Sequence, residues 1–266
     1  MTTDSQPTAS KVPQACLVFW IIKIIATTLG ETGGDSLSMG AHDAETHTTA
    51  MNLGYLTSSL ILAGVFFVTV TGQILTKRFI PIVYWITIVA TTMLGTTLAD
   101  FADRSLGIGY AGGASLLLGL LVVSLVVWYR TLGSISIDSV RNWKSELFYW
   151  VTIMFSQTLG TALGDWVAGD EAHPSLGYGV SAILFSSLLA IVLAAYYWTK
   201  ISRTALFWAA FILTRPLGAV VGDLLDKSHE EGGLELSKLT ATLTLAGIII
   251  ACILIFPQRP ATKAAH

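Results

Sequence analysis

Four times along the chain a tryptophan is followed ten residues later by a glycine, and five residues after that by an aspartate. The tryptophans are Trp20, Trp85, Trp150 and Trp208, the glycines Gly30, Gly95, Gly160 and Gly218, and the aspartates Asp35, Asp100, Asp165 and Asp223. Successive copies are displaced by 65, 65 and 58 residues. Each tryptophan follows another aromatic residue (Phe19, Tyr84, Tyr149, Phe207) and each glycine follows a leucine. Self-similarity of this kind marks a chain assembled from one supersecondary unit that buries its apolar face only by stacking on its neighbours. The fold is therefore expected to set four like elements in a ring or a two-by-two array, facing a common centre.

The type of element follows from hydropathy. A membrane-crossing helix needs roughly 20 mostly apolar residues. Eight such stretches occur, at 14–35, 54–76, 80–100, 109–130, 147–168, 177–199, 204–224 and 236–256. Over 266 residues, 53% are hydrophobic and only 12% charged, too few charges to cover the surface of a soluble domain. The same balance excludes a disordered chain. With 15 basic against 17 acidic residues, the basic excess of a nucleic-acid binder is missing. Cys16 and Cys252 are too few for a disulfide framework. The first ten residues have neither the basic nor the apolar region of a cleavable signal.

Each repeat thus contains two spans, at 14–76, 80–130, 147–199 and 204–256, within a single transmembrane domain over 1–266. The second helix opens alike in three copies, as Leu53-Gly54-Tyr55, Ile108-Gly109-Tyr110 and Leu176-Gly177-Tyr178, whereas the fourth reads Gly233-Leu234-Glu235. On these Trp, Gly and Asp positions the chain resembles bacterial membrane proteins made of four tandem two-helix repeats of unknown function, each with a marked tryptophan. The resemblance spans nearly the whole chain. It implies the architecture and a bacterial inner (plasma) membrane location, and little about activity.

Basic residues mark cytoplasmic loops. Lys11, Lys77, Arg78, Arg130, Arg141, Lys144, Lys200, Arg203, Arg259 and Lys263 fall on one side, against Arg104 and Lys227 on the other. The expected fold is an all-α membrane protein of eight transmembrane helices, with cytoplasmic N and C termini. Its four tandem helical hairpins are parallel, with pseudo-symmetry about the membrane normal, as for repeats that all point one way. The tryptophans then lie near the inner interface, where an aromatic belt is expected. Each aspartate sits about 22 Å further along its helix, in the outer part of the membrane.

Residues three, four and seven apart share a helix face. Four before each aspartate stand Glu31, Thr96, Thr161 and Ala219, and seven before it Thr28, Met93, Thr158 and Pro216. Intramembrane ionisable groups are costly and usually line water or one another. Asp35, Asp100, Asp165, Asp223, Glu31, Thr28, Thr96, Thr158 and Thr161 are therefore the candidate lining of an ion pathway. Lys23 and Arg215 are its internal counter-ions, each eight residues before a carboxylate, Glu31 and Asp223 respectively. The plainer alternative has the aspartates capping loops or tying helices together. The glycines form small-xxx-small pairs with Gly34, Ala99, Gly164 and Gly222, which suit close helix packing. Pro216 is expected to kink or break the seventh helix.

His42, His47, His173 and His229 fall in outer loops beside acidic residues. Imidazole with carboxylate suits divalent transition metals, so these histidines join the four aspartates as candidate metal ligands, although no structural zinc spacing occurs. No phosphate-binding loop, nucleophile elbow or metalloprotease signature is present, so no enzymatic role and no required cofactor is expected. The functional expectation is a cation transporter or channel, for a divalent metal ion or proton, with one Asp per repeat on a shared pathway. The alternatives are a permease or sensor for small molecules or lipid, and a membrane partner subunit without flux of its own. The bilayer and the cation are the expected partners, nucleic acid is not, and a homo-oligomer is compatible with the sequence.

Overall fold

The structure, a computed structural model, describes residues 9–39, 53–105, 108–169, 175–230 and 232–262. Among them are eight α-helices and no strand. They are α1 (Leu17–Ser38), α2 (Tyr55–Leu75), α3 (Pro81–Asp100), α4 (Gly109–Leu132), α5 (Trp143–Ala168), α6 (Tyr178–Trp198), α7 (Arg203–Asp226) and α8 (Lys238–Ile255). Seven are long and apolar enough to cross a membrane, as in a multi-pass membrane protein. The exception is α5. Its apolar stretch is interrupted by Ser156, Gln157, Thr158 and Thr161, and a capping box between Asn142 and Ser145 starts it at Trp143, earlier than the span expected at 147.

The four odd-numbered helices form a closed inner ring, in the order α1, α3, α5, α7 and back to α1. The even-numbered helices form an outer layer, in which α2 lies on α3, α4 on α5, α6 on α7 and α8 on α1. The packed helical pairs are therefore offset by one helix from the sequence repeats. The two helices of one repeat barely touch, and the second covers the first helix of the next repeat. The outer helices leave large apolar side chains such as Leu60, Val68, Leu118, Ile183 and Leu243 exposed, a surface that suits lipid rather than water.

The glycine motif closes the ring. A Cβ on Gly30 would collide with Thr92, one on Gly95 with Gln157, one on Gly160 with Arg215 and one on Gly218 with Thr27. In every case the neighbour stands eight residues before its own aspartate in the next repeat. The second small residue repeats the pattern one turn on, with Gly34 against Thr96, Gly164 against Ala219 and Gly222 against Glu31. Small residues let the inner helices approach to backbone contact. α7 runs unbroken through Pro216, whose ring packs on Gly160, so the expected break does not occur.

The aromatic pairs form a second closed circuit at the N-terminal ends of the inner helices. Phe19 meets Trp85 at 5.5 Å between ring centroids, Tyr84 meets Trp150 at 5.8 Å, Tyr149 meets Trp208 at 6.2 Å and Phe207 meets Trp20 at 5.6 Å. The Tyr84 and Tyr149 hydroxyls lie 2.7 Å apart. Trp85, Trp150 and Trp208 are buried. The tryptophans thus form a collar packed within the bundle instead of a lipid-facing belt, because each indole meets the aromatic residue of the preceding repeat around the ring. At this end the first and last described segments also meet. Gln14 N–H donates to the Arg259 carbonyl at 2.8 Å, and Ala261 N–H to that of Val12 at 2.8 Å.

At the other end, Gly54, Gly109 and Gly177 open α2, α4 and α6 with φ of +75°, +70° and +74°. L-residues with side chains rarely adopt this conformation, which accounts for the Gly-Tyr openings. In the fourth repeat Ser237 caps α8 with φ −54°, so that copy needs no glycine there.

Candidate functional site

Positions spaced by four along the inner helices stack into layers about 6 Å apart around the ring axis. One turn before the aspartates the layer is Glu31, Thr96, Thr161 and Ala219. Arg215, one turn further down α7, reaches up into it with a fully buried side chain. Its Nη1 is 2.9 Å from Glu31 Oε2, and Nη2 donates to Thr96 Oγ1 at 2.7 Å and to Thr161 Oγ1. Thr96 Oγ1 also lies 3.3 Å from Glu31 Oε2. One guanidinium thus ties the fourth repeat to the other three, and Gly160 leaves room for its stem.

Above this lock the carboxylates converge. One oxygen each from Glu31, Asp165 and Asp223 lie within 4.8 Å of one another, and so do one each from Asp35, Asp223 and Asp226. Asp223 belongs to both groups. Lys227 Nζ bridges Asp35 at 2.9 Å and Asp223 at 3.2 Å. Lys238 Nζ pairs with Asp226 at 3.1 Å and lies 3.7 Å from Asp35. Lys227 stands just beyond α7. Burial disfavours its charge, but Asp223, Asp35 and Asp226 outweigh that and hold its pKa well above the usual lysine value. Asp100 faces Arg104 Nε at 3.4 Å, from the π-helical turn Phe101–Ser105 that prolongs α3. Such turns are frequent at functional sites.

Of the residues expected from sequence, Asp35, Asp165, Asp223 and Glu31 come together, and Thr96 and Thr161 join them through Arg215. Asp100 lies in neither carboxylate group and turns to Arg104. Thr28 and Thr158 donate to carbonyls of their own helices, Ile24 at 3.1 Å and Met154 at 3.0 Å, and stand beside the polar layers. Arg215 pairs with Glu31 on α1 rather than with Asp223 on its own helix. Lys23 does not pair with Glu31. Its Nζ lies 4.2 Å from the centroid of Phe211, because Arg215 already occupies that carboxylate. His229 is largely exposed and stands apart from both groups, with Nδ1 2.9 Å from the Gly233 carbonyl oxygen and Nε2 3.7 Å from Glu235. His42, His47 and His173 lie outside the described residues.

Sequence reasoning left Asp226, Lys238, Lys227 and Arg104 out of the site. A signal was present for two of them, since Arg104 and Lys227 each stand four residues after a motif aspartate. Asp226 and Lys238 are brought in by the turn between α7 and α8, where Leu234 and Leu236 N–H donate to the carbonyls of Leu224 and Leu225, each at 2.8 Å.

A family model described as a repeat of unknown function (DUF347) matches the chain over residues 18–79, 83–134, 148–202 and 206–257. The chain belongs to that family. Each DUF347 match begins one residue before an aromatic-Trp pair, so the four DUF347 copies are the four repeats of the ring. No curated protein and no solved structure matches the chain.

Proposed function

We propose that this DUF347 protein is a cation carrier of the bacterial inner membrane, with a hard divalent metal ion as its substrate. In this reading the ring axis lies along the membrane normal. The termini and the basic loops of the collar end face the cytoplasm, and the carboxylates lie toward the outer side. The observation that carries it is the approach of Glu31, Asp165 and Asp223 from three different helices, with oxygens within 4.8 Å of one another. Oxygen ligands bind divalent ions at about 2.0–2.6 Å, so oxygens sharing one ion lie no more than about 5 Å apart. An all-oxygen donor set favours manganese, magnesium or calcium. Seven carboxylates (Glu31, Asp35, Asp100, Asp103, Asp165, Asp223, Asp226) stand against four cations (Arg104, Arg215, Lys227, Lys238) in this region, and one divalent ion would offset two of the three surplus charges when all are ionised. Carboxylates crowded this closely repel unless a cation or proton intervenes.

A carrier accounts for the geometry better than an open channel. The Glu31–Arg215 lock and the aromatic collar both cross the axis, so passage requires that they rearrange. The test is manganese flux into proteoliposomes. Asp165→Asn with Asp223→Asn keeps the side-chain shape, removes two charges, and is expected to lower flux at least tenfold. Undiminished flux in the double variant, at equal protein content, rejects the assignment.

A further inference from the structure

Below the Arg215 lock the axis changes sign. The layers there are Thr27, Thr92, Gln157 and Arg215, then Lys23, Ile88, Ile153 and Phe211, then the collar residues Phe19, Tyr84, Tyr149 and Phe207. None is a carboxylate. Lys23 is fully buried, its Nζ has no hydrogen-bond partner, and its neighbours include the ring of Phe211 and the like charge of Arg215. Arg215 spends Nη1 and Nη2 on Glu31, Thr96 and Thr161, while its Nε is also buried without a partner. Gln157, the counterpart of Arg215 on α5, is fully buried with both ends of its amide unpartnered. Native proteins satisfy the great majority of buried polar atoms, and a buried lysine keeps its charge only where a counter-charge joins it. Here the unmatched atoms fall in adjoining layers of one ring.

We propose that this basic half of the axis binds a small monovalent anion of halide size. The bound anion and the Lys23 ammonium hold each other in the charged form, and Arg215 Nε–H and the Gln157 amide donate hydrogen bonds. A single charge suits the site, because Glu31 already answers Arg215 and only Lys23 is left over. The walls formed by Ile88, Ile153 and Phe211 favour a weakly hydrated ion over a phosphate. The site lies on the other side of the Glu31–Arg215 lock from the aspartates, and its test uses no metal.

The probe is bromide. The purified protein, free of divalent metal, is melted across graded sodium bromide with sodium gluconate holding ionic strength constant. Binding to the folded state raises Tm saturably, by about 5 °C or more at 100 times Kd. Lys23→Met is expected to abolish the bromide response and to melt above wild type in gluconate, since the buried unpartnered amine is gone. Gln157→Leu is expected to weaken bromide binding about tenfold, the worth of one hydrogen bond to an ion. Superimposed bromide and gluconate curves for the wild type overturn the proposal, as does a full bromide response in Lys23→Met. Should Lys23→Met not fold, unchanged bromide affinity in Gln157→Leu counts against the site in its place.

Discussion

Arg215 does in one side chain what the repeat pattern does elsewhere with four. It occupies a position that is threonine or glutamine in the other copies (Thr27, Thr92, Gln157), and its length lets it reach three other helices. Removing one partner of a buried ion pair leaves the other charge uncompensated, at a cost of about 3–5 kcal/mol. Arg215→Met is therefore expected to lower Tm by about 10 °C, at 2–4 °C per kcal/mol for a chain of this size. Adding Glu31→Gln should recover much of that loss, because the orphaned carboxylate is then gone. Thermal melts of the two single variants and the double variant measure the coupling. Equal losses in Arg215→Met and in the double variant would show that packing, not charge, holds the lock.

Among the helices, the inner and outer layers obey different rules. Inner glycines face a neighbouring helix at backbone distance, whereas a Cβ on Gly64 of α2 or Gly119 of α4 would meet nothing within 4 Å. Overpacking a tight contact costs about 1–3 kcal/mol, and Ala for Gly in an open helix position stabilises by roughly 0.5–1 kcal/mol. Gly218→Ala, whose Cβ would fall 2.8 Å from the Thr27 carbonyl carbon, is expected to lower Tm by several degrees. Gly64→Ala and Gly119→Ala are expected to hold or raise it. Melts of the three variants in the same detergent check the contrast, and a stable Gly218→Ala would mean that the ring is looser than its contacts imply.

For the molecule as a whole, closure matters most. Each outer helix covers the next repeat, α8 returns to cover α1, and the segments holding Val12 and Ala261 meet beside the collar. A single repeat therefore cannot bury its own inner helix. The start of the chain is also not a privileged point on the ring. A circular permutant in which a short linker joins the paired segments at Val12 and Ala261, with new ends in the exposed α6–α7 connection, residues 199–202, is expected to fold with the parent's helix content and a Tm within about 5 °C of it, since segments that lie close together tolerate such rearrangement. Circular dichroism and a melt test this, and loss of the folded state would show that the order of the repeats guides assembly. Along the axis the ring is polarised, with carboxylates at one end, Lys23 and Arg215 in the middle and the aromatic collar at the other end.

The repeat, the eight helices and the convergence of Asp35, Asp165, Asp223 and Glu31 were legible in the chain, because a period that preserves Trp, Gly and Asp also preserves their helical face. The small-residue pairs were legible as packing for the same reason. Three features depended on tertiary structure. The offset pairing of helices rests on which neighbour each outer helix covers, and the motif says nothing of that. The tryptophans became a collar because each indole meets an aromatic residue one repeat away, a relation that span prediction takes one helix at a time and so does not contain. Which carboxylate Arg215 takes, and hence that Lys23 goes without one, follows from side-chain reach across the ring, where two candidate cations competed for Glu31 and distance decided between them.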